Sequence, residues 1–225
     1  MNITVAGFMA TTLLDYPGEV ASVIFLPWCN LRCPYCHNPS IVNPEENSLD
    51  SIELIIETIE KRKNLITSVV ITGGEPTLYD DLQKYIDLFH SWGLKVKVDT
   101  NGTRPEVVKS ITPNYIAMDL KTSLKKYVAL GYSESTDNIE ESLNWIKNSG
   151  IEYEIRTTAA PLIFTKEDLI EMLPILKGVK NYIITNFRNG ETLNPEYNNN
   201  VPYRDDEIKD FVTIAKDAGL PCTLR

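Results

Sequence analysis

Positive charge is scarce in this chain of 225 residues, which has 22 lysines and arginines against 31 aspartates and glutamates. The resulting net charge at pH 7 is −9. Proteins that bind nucleic acid need a basic footprint for the phosphate backbone. We therefore expect no nucleic-acid partner.

Long apolar runs are also missing. No stretch reaches the ~18 apolar residues that a membrane-spanning helix needs, and the N-terminal MNITVAGFMATTLLDYPG lacks the basic region and cleavage site of a secretory leader. Four cysteines without such a leader favour a reducing compartment and metal binding over disulfides. We expect a cytoplasmic protein that does not associate with membranes.

Histidine is rare, and no nucleophile–base arrangement is evident, but three of the four cysteines are concentrated in a C-x3-C-x2-C motif: Cys29, Cys33 and Cys36. Three thiolates can hold three irons of a [4Fe–4S] cluster and leave the fourth iron open to a substrate or cofactor. A zinc site is an alternative, although the paired C-x2-C knuckles of structural zinc sites are lacking. Chance spacing is another.

The other cysteine and the two histidines lie outside the cysteine motif. Cys222 lies far from the motif in a terminal apolar stretch, where a buried thiol is expected. His37 follows Cys36 directly and could pack beside a cluster or act as a fourth ligand. His90 lies near the end of a predicted helix and is expected to be structural.

Apolar runs alternate with helical periods along the whole chain. Val20 to Leu26 (VASVIFL) is nearly all apolar, as in a strand covered on both faces. Periodicity predicts strands over 20–26, 68–72, 95–100, 115–120, 153–158, 182–185 and 222–224, and helices over 49–63, 80–92, 138–148, 166–176 and 205–218. Ser48 or Asp50 is predicted to cap the first of these helices, and Gly150 to end the third.

Six successive strands, five of them followed by a predicted helix, predict a parallel sheet in one α/β domain covering residues 1–225. An open doubly wound sheet is the default architecture, since six strands are two short of a closed eight-stranded barrel. The asparagine- and proline-rich stretch 189–202 predicts a long loop, with a lid as one role.

Polar residues that are unusual in a core follow successive predicted strands, where parallel β/α folds bind their ligands. In chain order they are the cysteine motif, Gly73-Gly74-Glu75-Pro76, Asp99-Thr100-Asn101-Gly102, Asp119-Leu120-Lys121 and Arg156. Motifs scattered along the chain would not be expected to meet at one edge of the sheet by chance, so their convergence predicts a single site.

Each motif also has a structural alternative. Gly73 and Gly74 permit close backbone approach to a ligand, or an ordinary turn. Asp99 and Asn101 could bind ribose hydroxyls, or form an Asx turn.

The later motifs are charged. Asp119 and Lys121 lie two apart on a strand and face the same side, which suits a site but also a surface ion pair. The planar guanidinium group of Arg156 could bind both oxygens of a carboxylate, or form a surface salt bridge.

Together the stretch TLLDYPGEVASVIFLPWCNLRCPYCHNP (Thr12 to Pro39), GGEP, DTNG and DLK resemble the radical S-adenosylmethionine (radical SAM) superfamily. Within it, the Asp-Tyr-Pro-Gly lead-in and the Cys-His-Asn-Pro exit resemble the activating proteins of anaerobic ribonucleoside-triphosphate reductase. The resemblance implies a partial (β/α)6 barrel with a cluster loop over 27–39. Trp28 departs from it, because relatives often have glycine before the first cysteine.

The resemblance also implies roles for site residues. Cys29, Cys33 and Cys36 would be the catalytic cluster ligands. The Gly73-Gly74-Glu75 turn would seat the amino group of S-adenosylmethionine, and Lys121 would face its carboxylate. Tyr35 would pack against adenine or wall the cluster pocket, and Asp119 would lie near the substrate glycine. Asp99, Asn101 and Arg156 are the remaining expected cofactor contacts.

The activity implied is reductive cleavage of S-adenosylmethionine at a [4Fe–4S] cluster to a 5′-deoxyadenosyl radical, which then makes a glycyl radical near the C-terminus of the anaerobic reductase. Flavodoxin or a similar low-potential protein would supply the electron. Alternatives are an activase of pyruvate formate-lyase type, a small-molecule radical SAM enzyme similar to 7-carboxy-7-deazaguanine synthase, and a non-catalytic iron–sulfur or zinc protein that senses redox state.

Overall fold

A computed structural model describes residues 3–45 and 48–225 of the chain, in which strands and helices alternate. The strands are β1 (Thr4–Val5), β2 (Gly7–Thr12), β3 (Ala21–Leu26), β4 (Asp50–Ser51), β5 (Ser68–Gly73), β6 (Lys95–Thr100), β7 (Tyr115–Asp119), β8 (Glu152–Ala159), β9 (Tyr182–Asn186) and β10 (Cys222–Leu224). The helices are α1 (Pro39–Val42), α2 (Ile52–Arg62), α3 (Leu82–Ser91), α4 (Pro105–Ser110), α5 (Asp137–Asn148), α6 (Lys166–Leu176) and α7 (Asp205–Asp217).

The chain divides into two compact units. One comprises the described residues up to Asn30, Asn38–Thr100 and Glu106–Ile116, and the other comprises Leu31–His37, Asn101–Pro105 and Ala117–Arg225. Strand β7 therefore contributes residues to both.

The first unit has the strand order β6-β5-β3-β2. Strands β3, β5 and β6 are parallel, with Val23 opposite Val70 and Val69 opposite Val96. Strand β2 is antiparallel to β3 and pairs Gly7 with Phe25. Helices α2 and α3 pack apolar side chains against this sheet, in a core that includes Ile55, Ile59, Ile86, Phe89, Val69, Ile71, Val96 and Val98.

The second unit has the strand order β10-β9-β8-β7. Strands β8, β9 and β10 are parallel, with Ile155 and Cys222 both aligned with Tyr182. Phe164, just before α6, packs against Phe211 of α7, with ring centroids 5.3 Å apart. The fold is α/β with a mostly parallel central sheet, which confirms the predicted fold class.

The predicted strands and main helices all occur, with ends displaced by three residues at most. The capping prediction for the first long helix is wrong. Helix α2 begins at Ile52, and its N-cap is Ser51, whose hydroxyl accepts a hydrogen bond from Leu54 N at 3.4 Å. Asp50 instead pairs with Val5 in the short β1–β4 ladder, so the chain is extended where the helix was predicted to start.

Strand β2 and the short helices α1 and α4 were not predicted. The β2 sequence GFMATT is short of apolar residues and has one exposed edge-strand face, so it lacks the strong apolar pattern that marks the interior strands. The end of α5 does follow the prediction: Gly150 lies just beyond the C-cap Ser149 with φ +80°, the left-handed conformation that glycine adopts readily.

No helix in residues 3–45 and 48–225 combines the length and the apolar character that crossing a bilayer requires.

Asp168 fixes the start of α6, and its replacement tests this part of the fold. The buried carboxylate accepts hydrogen bonds from Thr165 N at 2.9 Å and Ser123 Oγ at 2.6 Å, and it pairs with Lys126. Asp168→Ala should lower the free energy of unfolding by about 2–3 kcal/mol, because a cap and charge-assisted hydrogen bonds are lost together. Urea titration measures this, with the exposed neighbour Glu167→Ala as a control that should change the midpoint little.

The effect of Asp168→Ala should depend on pH. Burial alone would raise the pKa of Asp168, but its hydrogen bonds to Lys126, Ser123 and Thr165 outweigh burial and lower the pKa. The stability that Asp168 contributes is therefore present above about pH 4 and lost as the pH falls through the lowered pKa. Equal destabilisation at pH 7 and pH 2 would contradict this assignment.

Candidate functional site

The cysteine motif is a loop of free thiols that follows β3. Cys33 is buried, and Cys29 and Cys36 are half-buried. Within the second unit, Cys36 N donates to Cys33 O at 3.0 Å and closes a turn between the two cysteines. Cys222 lies apart in β10, where burial raises the pKa of its thiol to about 11.

The segment predicted as a lid, 189–202, is hydrogen-bonded to the cysteine loop in the second unit. Leu193 N donates to Cys36 O at 2.9 Å, and Asn194 N donates to Pro34 O at 3.1 Å. Backbone bonds of this kind fix the path of the loop between the second and third cysteines. The segment therefore braces the cysteine loop in this structure.

Aromatic contacts also link the end of the cysteine loop to residues 187 and 197. The His37 ring stacks on Phe187, with centroids 5.3 Å apart, and His37 Nδ1 lies 3.0 Å from the carbonyl oxygen of Glu191. Tyr35 packs against Tyr197 at 6.2 Å. A carbonyl oxygen only accepts, so Nδ1 carries the proton and the ring is held in one orientation.

The glycine turn lies against the start of the cysteine loop in the first unit. Gly74 N donates to Leu26 O at 2.9 Å, and Glu75 N donates to Trp28 O at 2.8 Å. A Cβ on Gly74 would lie 1.9 Å from Trp28 O, and one on Gly73 would lie 2.2 Å from Leu26 O. These glycines are required by the close approach of the chain's own backbone, a reason that the sequence did not reveal.

Trp28 adopts an unusual conformation next to the first cysteine. Its φ of +67° is in the left-handed region, and its side chain is 41% exposed. This region costs a residue with a Cβ about 1–2 kcal/mol, whereas glycine adopts it freely. Glycine, which the resemblance leads us to expect at this position, would adopt the conformation without this cost.

Glu75 acts as a scaffold for the glycine turn. The side chain is buried, and its Oε1 accepts from Thr77 N at 3.0 Å, Thr77 Oγ1 at 2.6 Å and Thr100 Oγ1 at 2.7 Å. These bonds tie the turn after β5 to the end of β6.

Asp99 forms a charged pair with a buried lysine. Lys97 Nζ is 2.6 Å from Asp99 Oδ1, and Thr72 Oγ1 donates to Asp99 Oδ2 at 3.1 Å. The Lys97 side chain is only 2% exposed. Sequence reasoning missed Lys97, although its place two residues before Asp99 on the same strand face could have indicated it.

Asn101, in the second unit, uses its side-chain oxygen locally. Its Oδ1 accepts from Thr103 N at 3.0 Å and Thr103 Oγ1 at 2.6 Å. This is the Asx turn that the sequence offered as the structural alternative.

Asp119, Lys121 and Arg156 form one cluster in the second unit. Arg156 Nε donates to Asp119 Oδ1 at 2.7 Å, and Lys121 Nζ donates to Asp119 Oδ2 at 3.0 Å. The three side chains are between 20% and 27% exposed, so this is neither a fully buried nor a fully exposed ion pair. Asp119 and Lys121 do meet, but β7 ends at Asp119, so their contact does not come from a shared strand face.

The charges of this cluster reinforce one another. Burial alone would raise the pKa of Asp119, but Arg156 and Lys121 outweigh it and hold the pKa well below its usual range. Burial would likewise lower the pKa of Lys121, but Asp119 and then Cys33 raise it. The cluster keeps two cations and one anion at neutral pH, for a local charge of 2 − 1 = +1, which favours a carboxylate ligand.

The residues present fit an iron–sulfur cluster in the chemistry of their donors. No three His, Cys, Asp or Glu side chains within the described ranges 3–45 and 48–225 gather to hold a metal ion. In a four-iron cluster each thiolate binds a different iron, so the three cysteines need not meet around a single ion. They need to be free thiols on a loop with a fixed path, and these cysteines are free and their loop is held by backbone hydrogen bonds. The buried Tyr35 hydroxyl lies beside the Cys33 thiol, and burial followed by the charge of Cys33 raises the pKa of Tyr35.

Replacing Gly74 tests whether the backbone approach shapes the site. Gly74→Ala should destabilise the protein by more than about 3 kcal/mol or displace the cysteine loop, because its Cβ would collide with the Trp28 carbonyl. Thermal unfolding measures the stability. The control is Gly93→Ala, which meets no atom within 4 Å but has φ +77°, and it should cost only about 1 kcal/mol. Equal effects of the two substitutions would contradict the steric argument.

Comparison with known proteins places the chain in a family. Residues 23–179 match the Radical SAM superfamily. The chain is 30% identical to a Methanocaldococcus jannaschii protein, named as an inferred glycyl-radical enzyme activating enzyme, over 96% of this chain and 93% of that protein. It is 25% identical to the pyruvate formate-lyase-activating enzyme of Clostridium pasteurianum over 75% and 74% of the two chains.

The fold agrees with solved structures. The crystal structure of QueE from Escherichia coli superposes with a TM-score of 0.66 at 16% identity, covering 100% of this chain and 94% of that one. The chain spans about half the length of some other solved structures that share the fold. Because the superfamily match covers more than half of the sequence, and the fold agrees with it, the chain belongs to the radical SAM superfamily.

Proposed function

We propose that this protein is an activating enzyme that installs a glycyl radical on an anaerobic ribonucleoside-triphosphate reductase. The observation that carries the proposal is the C-x3-C-x2-C motif in a chain that aligns over nearly its full length with an inferred glycyl-radical activating enzyme. Membership of the radical SAM superfamily implies a [4Fe–4S] cluster and S-adenosylmethionine.

Cys29, Cys33 and Cys36 are the proposed cluster ligands. When bound at such a cluster, S-adenosylmethionine supplies a 5′-deoxyadenosyl radical after one-electron reduction. The chain contributes three thiols, the brace formed by Leu193 and Asn194, and the aromatic wall of Tyr35 and Tyr197. The brace fixes the backbone between Cys33 and Cys36.

The proposed cofactor contacts divide by chemistry. Lys121 and Arg156 offer their positive charge to the methionine carboxylate, and Asp119 fixes the orientation of both cations. The backbone of Gly73 and Gly74 seats the amino group.

The proposed contacts with the adenosine part are Tyr35, Asp99 and Asn101. Asp99 is held by Lys97 and Thr72, which orient its carboxylate. Tyr35 would pack against the adenine ring, and Asn101 would shape the loop beneath the ribose.

The choice of target rests on the residues around the motif. The lead-in Asp15-Tyr16-Pro17-Gly18 and the exit Cys36-His37-Asn38-Pro39 favour the reductase activases. The pyruvate formate-lyase activases are the second candidate, because one of them aligns with three quarters of the chain. For an activase of that type, the resemblance implies a histidine beyond the strand predicted at 182–185. Asn186, Phe187 and Arg188 stand there instead.

Cofactor cleavage is the first test. After anaerobic reconstitution with iron and sulfide and reduction with dithionite, the protein should convert S-adenosylmethionine to methionine and 5′-deoxyadenosine. Cys33→Ser should abolish the product, because one cluster ligand is lost. Cys222→Ser is the matched control and should retain activity, since Cys222 is buried in β10 away from the motif. A fully loaded cluster that yields no 5′-deoxyadenosine would refute the proposal.

The partner is tested separately. Mixing the reduced protein with an anaerobic reductase and with a pyruvate formate-lyase should give a glycyl-radical doublet in electron paramagnetic resonance with the reductase only. A doublet with the lyase alone would transfer the assignment to the second candidate. Cleavage with neither doublet would favour a small-molecule substrate. Reduced flavodoxin in place of dithionite tests the electron donor.

A further inference from the structure

Five charged side chains of alternating sign form a continuous chain of ion pairs in the second unit. Lys121 and Arg156 both bind Asp119, at 3.0 and 2.7 Å. Arg156 Nη1 also lies 3.7 Å from Glu154 Oε1, and Arg225 donates to both carboxylate oxygens of Glu154. Only the first three residues of this series, Lys121, Asp119 and Arg156, were expected to serve the site.

Glu154 is the unusual member, because its side chain is 0% exposed. Burying a carboxylate is costly unless it is paired and hydrogen-bonded. Arg225 supplies a bidentate contact, with Nη1 3.1 Å from Oε1 and Nη2 2.8 Å from Oε2. This fork is the geometry in which arginine binds carboxylates most strongly.

Arg225 is itself anchored, although its side chain is 51% exposed. Its backbone N–H donates to Ile184 O at 3.0 Å, next to the parallel pairing of β10 with β9. The guanidinium group is therefore delivered to Glu154 from a fixed backbone.

Arg156 stands between two carboxylates and bonds them unequally. Its Nε is 2.7 Å from Asp119, whereas its Nη1 is 3.7 Å from Glu154, beyond the range of an ordinary hydrogen bond. We propose that Arg225 is a positioning residue: by satisfying Glu154, Arg225 leaves Arg156 directed at Asp119 in the site that binds the carboxylate of S-adenosylmethionine. The last part of this inference rests on the proposed function.

Charge arithmetic gives the direction of the effect. The five residues carry three positive and two negative charges, a sum of +1. Without Arg225 the sum is zero, and the buried carboxylate of Glu154 draws Arg156 away from Asp119. Neutralising Glu154 at the same time removes that competitor, so the double variant should recover what the single variant loses.

The test compares Arg225→Met, Glu154→Gln and the double variant Glu154→Gln/Arg225→Met with the wild-type protein. The first readout needs no cofactor: the Arg156 Nε–H signal in nuclear magnetic resonance of the metal-free protein, assigned with Arg156→Lys. Arg225→Met should move this signal upfield and speed its exchange with water by about tenfold, as expected when a contacting pair is lost. Glu154→Gln and the double variant should stay close to wild type.

The second readout is the dissociation constant of S-adenosylmethionine for the reconstituted protein. Arg225→Met should weaken binding by about tenfold, and the double variant should lie within about twofold of wild type. Arg225→Lys keeps the charge but loses the two-point contact with Glu154, so its dissociation constant should lie between those of Arg225→Met and the double variant. It replaces Arg225→Met in the comparison if that variant does not fold.

The outcomes separate the two claims. If the Arg156 Nε–H signal of the double variant is displaced as far as that of Arg225→Met, then Arg225 merely holds β10 in place and the inference is overturned. If the signal behaves as expected but wild-type protein neither binds nor cleaves S-adenosylmethionine, the positioning stands and the proposed function fails.

Discussion

The backbone of Gly74 passes so close to the carbonyl oxygen of Trp28 that no side chain fits between them. Two further hydrogen bonds, to Leu26 and Trp28, bind the glycine turn to the first residues of the cysteine loop. Trp28 accepts a left-handed conformation to keep this arrangement, as strained residues often do near functional sites. The glycine turn after β5 thus contacts the point at which the cysteine loop leaves β3.

The charged residues at the strand ends repeat one design. In β6 and just after β7, a carboxylate and a lysine lie two residues apart and pair with each other: Lys97 with Asp99, and Lys121 with Asp119. A paired carboxylate remains ionised and keeps one orientation in surroundings that would otherwise favour its neutral form. Such pairs suit a cofactor that presents its own carboxylate, amino and hydroxyl groups. The chain needs no histidine base for this role, which agrees with its two histidines, one stacked on Phe187 and one bonded to Asn114.

Much of this organisation could be predicted from local pattern. The β-branched runs located the interior strands, and the sequence brought Asp119 and Lys121 into one predicted site, although β7 ends at Asp119. Features that depend on distant parts of the chain could not be predicted. A lysine within a strand is ordinarily exposed, so the spacing from Asp99 could indicate the pairing of Lys97 but not its burial. Glu154 and Arg225 are 71 residues apart, and only the parallel pairing of the last strands brings them together. The collision that requires glycine at position 74 likewise arises from a backbone contact between separate strands.

We propose that three cysteines hold a four-iron cluster whose remaining iron binds S-adenosylmethionine, and Mössbauer spectroscopy of the iron decides whether they do. Protein reconstituted anaerobically with ⁵⁷Fe should contain about four irons per chain, as a cluster of this type requires. Addition of S-adenosylmethionine should change the spectrum of one iron in four. A single bound metal ion per chain, or a four-iron cluster whose irons all ignore the cofactor, would contradict the account.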